Sequence, residues 1–338
     1  MDSLTQVVLG AATGEAVLGK KLGNRAVLWG AFAGTLPDLD VIPGMFLDTS
    51  DRLLFHRGFS HSIVFVIVAT AFFSWLFGRI YRKKEITHGE WAVFFGMIFT
   101  VSILIDAFTT YGTQLLWPLK YRFEFNTIFV VDPLFTLPLL ITTVWLMFRR
   151  KESALRRKLN RAGILISVIY LLFTIVNKQV MNGIFEQSLK EQGIGFSEIR
   201  TNPTAMNQIL WTAVAETENG FYTGYYSYFD DDRKISFDYD HRNESLIGPF
   251  TNYPPVEKIL RFTKDYYTVE RLGQDFLVND LRFGEVRNWE TGRGQYIFQY
   301  KISLDKGQVV VDEVEKSFGN ATELLAQLWQ RMLGKEYE

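Results

Sequence analysis

The chain has 338 residues, which is enough for two domains. Its 36 basic and 37 acidic side chains nearly cancel, to a net charge of −1, so the charge balance gives no indication of a nucleic-acid partner. The chain contains no cysteine, which excludes disulfides, thiol nucleophiles and thiolate zinc sites.

Apolar runs in the first half of the chain predict membrane-embedded helices. Two short runs near the start carry Gly10 and Gly14 at helical spacing, which favours close packing against other helices. Residues 62–81 carry one charge, Arg79, and are long enough for a bilayer core of about 30 Å. Shorter runs follow at 91–105, 134–148 and 162–176. We therefore predict an α-helical integral membrane domain of about six helices over residues 1–181.

Basic residues alternate between the loops and predict the orientation of these helices. They cluster in three connections: Lys20, Lys21 and Arg25; Arg79, Arg82, Lys83 and Lys84; and Arg149, Arg150, Lys151, Arg156, Arg157, Lys158 and Arg161. The positive-inside rule places these clusters in the cytoplasm, so the loops at 38–61 and 107–133 face outward. The prediction is a multi-pass protein of the bacterial inner membrane, with the bilayer as a partner and the C-terminal domain outside the cytoplasm.

The second half of the chain is polar, aromatic and alternating. Its strand patterns turn at Glu-Asn-Gly, residues 218–220, and at Asp-Lys-Gly, residues 305–307. Helical patterns begin at Pro254 and at Ala321. These patterns predict a small soluble α+β domain with an antiparallel sheet over residues 200–338, after a linker at 182–199.

Two acids follow the second predicted helix in the stretch TLPDLD. Pro37 ends that helix, and Asp38 and Asp40 lie two residues apart beyond it. They suit either a solvated turn or a pair of oxygen ligands for a metal.

The stretch HRGFSHS, residues 56–62, holds two of the four histidines in the chain. The rings of His56 and His61 converge only if His56 lies in a loop and His61 at the start of the next helix. A helix N-terminus would favour neutral His61, the form that binds a metal. The same residues, with Arg57, also suit a polar anchor at the membrane interface.

The stretch SILIDAFTTYG spaces Ser102, Asp106 and Thr110 four residues apart, on one face of a predicted helix. Interhelical hydrogen bonds would explain Ser102 and Thr110. A carboxylate near the end of a membrane helix needs a cation or a proton, so Asp106 indicates a functional site.

Two further acids have simpler interpretations. Asp132 precedes Pro133, which favours a role at the start of a helix. Glu15 lies within the first helix, where it is either protonated or paired with Arg25.

One predicted metal site collects the acids and histidines on the outer side. Oxygen and imidazole donors of this kind suit Mg²⁺, Mn²⁺ or Zn²⁺. The predicted ligands are Asp38, Asp40, His56, His61 and Asp106.

Five stretches resemble the YdjM-like family in their order: MDSLTQVVLG, LPDLD, HRGFSHS, IDAFTTYGTQLLWP and NTIFVVDPLF. Members are described as LexA-binding, inner-membrane-associated metal-dependent hydrolases, so the resemblance implies a membrane domain with a metal site. It covers roughly residues 1–150. Gln6 and Ser102 stand where the family usually has histidine. The remaining set suits one ion better than two, and a degenerate, inactive member is the alternative.

The resulting interpretation is an integral membrane metal-dependent hydrolase of a phosphoester, or another hydrolysable bond, at the outer interface. Arg57 would bind an anionic group through its planar guanidinium, and Asp106 would take part in catalysis. A site at headgroup level suits a lipid-linked or amphipathic substrate. One alternative is a non-catalytic membrane anchor or regulatory protein whose soluble domain binds a partner. A transporter is a further alternative.

The alternating basic loops generate a topology prediction. A phosphatase fused after residue 190 should be active and a fluorescent protein fused there should be dark, because that end of the last helix is expected outside the cytoplasm. The reverse pattern of the two reporters would place residues 182–338 in the cytoplasm.

Overall fold

The structure, a computed structural model, describes residues 1–82, 85–315 and 321–335. The chain forms two compact units. The helical unit comprises Met1–Phe46 and Phe55–Val176, and the sheet unit comprises Leu47–Leu54 and Asn177–Glu338.

The helices follow one another through most of the first 191 residues and recur twice in the sheet unit. In chain order they are α1 Ser3–Leu22, α2 Asn24–Thr35, α3 Val41–Gly44, α4 Thr49–Phe55, α5 Ile63–Ile80, α6 His88–Asp106, α7 Pro133–Met147, α8 Ala154–Glu191, α9 Pro254–Thr263 and α10 Ala321–Met332. Single 3₁₀ turns occur at Pro37–Asp40, Phe59–His61 and Glu244–Phe250.

A helix occurs at each position where an embedded helix is predicted. Among the described residues, α5, α6 and α8 are long and apolar enough to cross a membrane, whereas α7 is apolar but has only 15 residues. Apolar side chains such as Ile67 and Val176 lie exposed on the outer faces of α5 and α8. Apolar surface of this kind is what a span presents to lipid.

Local capping and aromatic packing define α5 and α6. The Ser62 hydroxyl accepts a hydrogen bond from Phe65 N and so caps α5, while Thr87 and Glu90 form a reciprocal capping box at the start of α6. The inner face of α6 is aromatic, with Trp91, Phe94, Phe95 and Phe99 completely buried. These rings join α6 to α5 and α1 in one core.

Glycines bring α1 and α2 into backbone contact, as the spacing of Gly10 and Gly14 predicts. A methyl group added at Gly10 would lie 2.3 Å from the carbonyl oxygen of Gly30, and one added at Gly34 would lie 2.5 Å from that of Gln6. Since no larger residue fits, the glycines set the distance between the two helices. The start of α1 is thereby fixed against the end of α2, where Asp38 follows.

Glu15 pairs with Arg156 of α8 and not with Arg25. Arg156 Nε and Nη2 donate to the two carboxylate oxygens at 2.7 and 2.6 Å, and both side chains are buried. Arg25 is exposed on α2. Removing one partner of a buried pair typically costs about 3–5 kcal/mol.

The sheet unit contains two antiparallel sheets of four strands, where the sequence predicts a single sheet. The strands are β1 Ile199–Pro203, β2 Leu210–Glu216, β3 Gly220–Ser227, β4 Phe237–His241, β5 Tyr267–Leu272, β6 Asp275–Asn288, β7 Arg293–Asp305 and β8 Gln308–Glu313. Strands β1–β4 form one sheet and β5–β8 the other, each in sequence order. The 3₁₀ turn at Glu244–Phe250 and α9 separate the two groups of strands.

The predicted Asp-Lys-Gly turn joins β7 and β8. Asp305 pairs with Gln308, and the two residues between them, Lys306 and Gly307, both have positive φ angles. Two such residues make the tight turn whose twist matches a two-stranded hairpin.

Residues 182–191, the first part of the predicted linker, are helical. They extend α8, whose residues Met181, Phe185 and Leu189 are fully buried; Met181 and Phe185 pack with Trp211 of β2. Burial of these side chains outweighs the helix-weakening effect of Gly183, which is about 1 kcal/mol.

Two glycines allow a matched test of the helix contact. Gly10→Ala should lower the thermal midpoint in detergent, because overpacking of this kind costs about 1–3 kcal/mol. Gly183→Ala should leave the midpoint unchanged or raise it, because no atom of the described residues lies within 4 Å of the added methyl group. Equal effects of the two substitutions would show that the contact between α1 and α2 does not limit stability.

Candidate metal centre

Three turns and helix ends bring an imidazole and two carboxylates together. Asp38 lies in the 3₁₀ turn after α2, His61 in the 3₁₀ turn before α5, and Asp106 is the last residue of α6. One ligand atom from each lies within 4.8 Å of the other two. His61 Nε2 is 3.1 Å from Asp38 Oδ1 and 3.3 Å from Asp106 Oδ2.

The local sequence explains why these residues face one another. Pro37 begins the turn that carries Asp38. Ser62 caps α5, which leaves residues 59–61 in a separate turn. Before that turn, Arg57 has a φ of 56°, a left-handed conformation that is uncommon outside glycine. Its backbone N–H donates to Asp40 Oδ2 at 2.9 Å, a contact that offsets part of the conformational cost.

Asp40 and Ser60 orient the imidazole of His61. Ser60 Oγ lies 2.6 Å from Asp40 Oδ2 and 2.9 Å from His61 Nδ1. Hydrogen bonds with His56 and the charges of both histidines outweigh the burial of Asp40 and lower the pKa of its carboxyl group. An ionised carboxylate only accepts, so Ser60 donates to Asp40 and accepts from the Nδ1–H of His61. The other nitrogen, Nε2, therefore faces Asp38 and Asp106, as a metal ligand must.

The pKa of His61 is higher than the position of this residue before a helix predicts. Burial alone would lower the pKa of its imidazole, but hydrogen bonds to Asp106 and Asp38 outweigh burial and raise the pKa. The adjacent carboxylates, and not the start of α5, control the charge of His61. A divalent ion would have to displace this proton.

Arg57 lies inside the cluster. Its guanidinium is 3.0 Å from Asp106 Oδ1 and donates to Thr109 Oγ1 at 2.9 Å. The side chain is buried and lies over the ring of Tyr111. The amino group of Met1 also contacts Asp106 Oδ1. The predicted role of Arg57 in binding an anionic group stays a prediction.

His56 and Asp40, also predicted as ligands, lie beside the three converging residues and bond to each other. His56 Nδ1 is 2.8 Å from Asp40 Oδ1, and its ring packs edge-on to Tyr111. Arg122 donates to the backbone carbonyl of His56 at 2.9 Å. Asp40 thus contacts His56 and Ser60, and its Oδ2 lies 3.6 Å from His61 Nδ1.

Gln6 and Ser102, the two departures from the resembled family, both lie next to Asp106. Gln6 Nε2 donates to Asp106 Oδ2 at 2.8 Å and to the carbonyl of Ser102 at 3.3 Å. Both side chains are buried, and Gln6 Oε1 and Ser102 Oγ have no hydrogen-bond partner among the described residues. Unsatisfied buried oxygens are costly, about 1–3 kcal/mol each, and their presence here fits a site that receives a cation.

Thr110 does not share a helix face with Ser102 and Asp106, because α6 ends at Asp106. Its neighbour Thr109 is buried instead, donates to the Asp106 carbonyl and accepts from Arg57. Asp132 has the predicted boundary role: it caps α7 by accepting from Leu134 N and Phe135 N.

Ser60 and Thr109 are the contributors that the sequence pattern does not single out. Ser60 lies within HRGFSHS, next to Ser62, and either hydroxyl suits a helix cap. Only the assignment of the cap to Ser62 leaves Ser60 for Asp40 and His61.

A sequence model of the family described as YdjM inner membrane protein matches residues 1–181. The matched range covers more than half of the chain and includes Asp38, His61 and Asp106. No curated protein and no solved structure matches the chain.

The raised pKa of His61 predicts how pH affects the metal-free protein. Protonated His61 is favoured by the folded state, so its stabilising contribution is present below the ordinary pKa of 6.5 and is lost as pH rises through the higher folded value. In chelator, the thermal midpoint of the wild type should therefore fall as the pH is raised above 6.5, and the fall should be smaller in His61→Gln.

His88→Gln provides the control, because His88 is exposed. This variant should keep the wild-type pH dependence. Identical profiles for the wild type and His61→Gln would contradict the assigned role of the carboxylates around His61.

Proposed function

The chain belongs to the YdjM inner membrane protein family, and on this premise we propose that it is a metal-dependent hydrolase of the bacterial inner membrane. The observation that carries the proposal is the convergence of Asp38, His61 and Asp106. One imidazole and two carboxylates would hold a single Mg²⁺, Mn²⁺ or Zn²⁺. Three protein donors leave coordination positions for substrate, as a catalytic site requires.

The charges of the cluster support a divalent ion as its occupant. Asp38, Asp40 and Asp106 supply three carboxylates, and the neighbouring cationic groups are the guanidinium of Arg57 and the amino group of Met1. With His61 neutral as a ligand, one negative charge is left for a cation to balance. When bound, the ion supplies Lewis-acid chemistry by polarising the scissile bond and activating water. Ser60 and Asp40 orient His61 for this role.

We propose that two residues act on the substrate. Arg57 would stabilise negative charge on a phosphoryl group, through the part of its guanidinium that is not satisfied by Asp106 and Thr109; its Nε has no hydrogen-bond partner among the described residues. His56 is partly exposed and bonds Asp40 through Nδ1, so its Nε2 is placed to hold or move a proton. Asp106 both binds the ion and balances Arg57.

Topology supports a site at the outer interface. We propose six embedded helices, α1, α2, α5, α6, α7 and α8, with the sheet unit outside the cytoplasm. The basic loops favour this orientation. His61 lies in the turn before α5 and Asp106 ends α6, and both fall at the predicted outer end.

Metal content is the direct test of the proposal. Protein purified in detergent and dialysed against Mn²⁺ should carry one ion per chain, whereas Asp38→Asn, His61→Ala and Asp106→Asn should each lose it. Ser102→His should tighten binding, because it adds an imidazole one helical turn before Asp106. Saturation at a hundredfold excess over Kd should stabilise the wild type by about 2.7 kcal/mol.

Two control variants separate metal loss from general damage. Asp132→Asn removes a buried carboxylate that caps α7 and should keep the ion. Ser60→Ala should weaken binding and Ser60→Thr should retain it, because threonine keeps the hydroxyl between Asp40 and His61. Absence of stoichiometric metal in the wild type, or loss of metal in Asp132→Asn alone, would refute the site.

Activity is tested on p-nitrophenyl phosphate in the presence of Mn²⁺. Phosphate release that disappears in His61→Ala and persists in Asp132→Asn would support the hydrolase. A protein that binds the ion but releases no phosphate would favour the second candidate below.

The second candidate is a non-catalytic membrane anchor or regulatory protein with a degenerate site. The observation that favours it is the amide of Gln6, which donates to Asp106 in the place where the resembled family has histidine. In this candidate the cluster locks helices together, and the sheet unit binds a partner.

A further inference from the structure

Exposed apolar side chains alternate with the buried polar residues of the centre. Leu39 lies between Asp38 and Asp40, and Phe59 directly precedes Ser60 and His61. Four further exposed apolar residues either follow Leu39 within seven positions or lie at or near Trp117, whose ring contacts Phe59. We call the whole set the apolar rim: Leu39, Ile42, Phe46, Phe59, Trp117 and Leu119, all exposed. Phe46 is 87 % exposed and Leu119 is 60 % exposed. Apolar patches of this kind mark an interaction surface.

The rim is continuous with the first turn of a candidate membrane span. The ring of Phe59 lies 5.2 Å from that of Trp117 and 5.9 Å from that of Phe65 in α5. Ile63, the first residue of α5, is exposed and its N–H donates to the carbonyl of Leu115 at 2.9 Å. The apolar surface of α5 therefore continues into the part of the rim that Phe59 and Trp117 form.

Of the three converging residues, Asp38 is the one exposed to solvent. His61 and Asp106 are completely buried, whereas the side chain of Asp38 is 21 % exposed. Asp38 adjoins Leu39 in the same turn. A substrate that reaches the three donors by way of Asp38 would therefore pass close to Leu39 of the apolar rim.

We propose that the rim inserts into the lipid bilayer around the centre, and that the substrate is a membrane-borne amphiphile with an anionic head. The substrate part of this inference rests on the proposed function. The bilayer is the occupant because the rim continues the surface of α5. Trp117 and the nearby Tyr121 are residue types that favour the membrane–water interface. The head would lie at Asp38 while the tail stays in lipid.

The absence of cysteine makes insertion directly measurable. Phe46→Cys and Leu119→Cys are labelled with a fluorophore in protein reconstituted in phosphatidylcholine vesicles. Brominated phosphatidylcholine should quench both labels, and aqueous iodide should quench them weakly. Glu152→Cys is the matched control, because Glu152 is exposed in a basic loop at the other end of the helices. Iodide should quench its label strongly.

Two quenching results would overturn the inference. Strong quenching by iodide at Phe46 and Leu119 would place the rim in water. Protection from both quenchers would mean that a protein surface, such as a second copy of the chain, covers the rim. Neither result depends on catalysis. The inference about the rim can therefore be refuted while the proposed hydrolase activity is retained, and the activity can be refuted while the rim is retained.

The substrate class is tested with phosphatidic acid in phosphatidylcholine vesicles against p-nitrophenyl phosphate in solution. Phe46→Ser and Leu119→Ser should lower turnover of the lipid roughly tenfold or more, since each substitution removes about 1.5–3 kcal/mol of apolar burial. Turnover of the soluble ester should not change. Equal effects of the substitutions on both substrates would overturn the inference. Turnover of neither substrate would count against the proposed function, and the quenching experiment would then decide whether the rim lies in lipid.

Discussion

A carboxylate at the end of a membrane helix needs a positive partner, and Asp106 imposes this requirement on everything around it. Its oxygens contact the guanidinium of Arg57, the imidazole of His61 and the amide of Gln6. Arg57 and His61 come from the stretch before α5, and Gln6 comes from α1. Pairing with the buried carboxylate of Asp106 thus holds the start of α1, the turn before α5 and the end of α6 close together.

Close helix packing makes this convergence feasible. The glycines of α1 and α2 bring the two backbones into contact, so Gln6 and the turn that carries Asp38 are both anchored to the same helix pair. The aromatic face of α6 fixes that helix against α5 and α1. The buried pair of Glu15 and Arg156 ties α1 to α8. Rigid neighbours of this kind are what a preorganised site requires, because each ligand must be held in its productive geometry.

The polar residues have two roles, as in many metal centres: some offer donor atoms, and others orient a ligand. Asp38, His61 and Asp106 offer donor atoms to a common point, while Asp40 and Ser60 act on the imidazole from behind. Such supporting hydrogen bonds select the tautomer of a ligating histidine and hold its ring. Exposed apolar side chains lie beside these polar residues along the same short stretch of chain. The alternation of Asp38, Leu39 and Asp40 is the simplest example.

The sequence by itself determined the local features. Apolar runs located α5, α6 and the membrane part of α8; Asp132 before Pro133 marked the start of α7; and Asp-Lys-Gly marked the turn between β7 and β8. Each signal depends on neighbours within a few residues, where spacing along the chain equals proximity in space. The acids and histidines of the centre were also recognisable, because ionisable groups are expensive beside apolar helices.

Tertiary structure decided which of those groups meet. Spacing along the chain did not distinguish Asp38 from Asp40, or His56 from His61, and both members of each pair were predicted as ligands. Their separate positions depend on the packing of α1, α2, α5 and α6, as does the partner of Glu15, which is 141 residues away. The separation of the strands into two sheets likewise depends on long-range packing. Contacts between distant segments are set by the combined shape and burial of whole helices and strands, and a single sequence does not display those quantities.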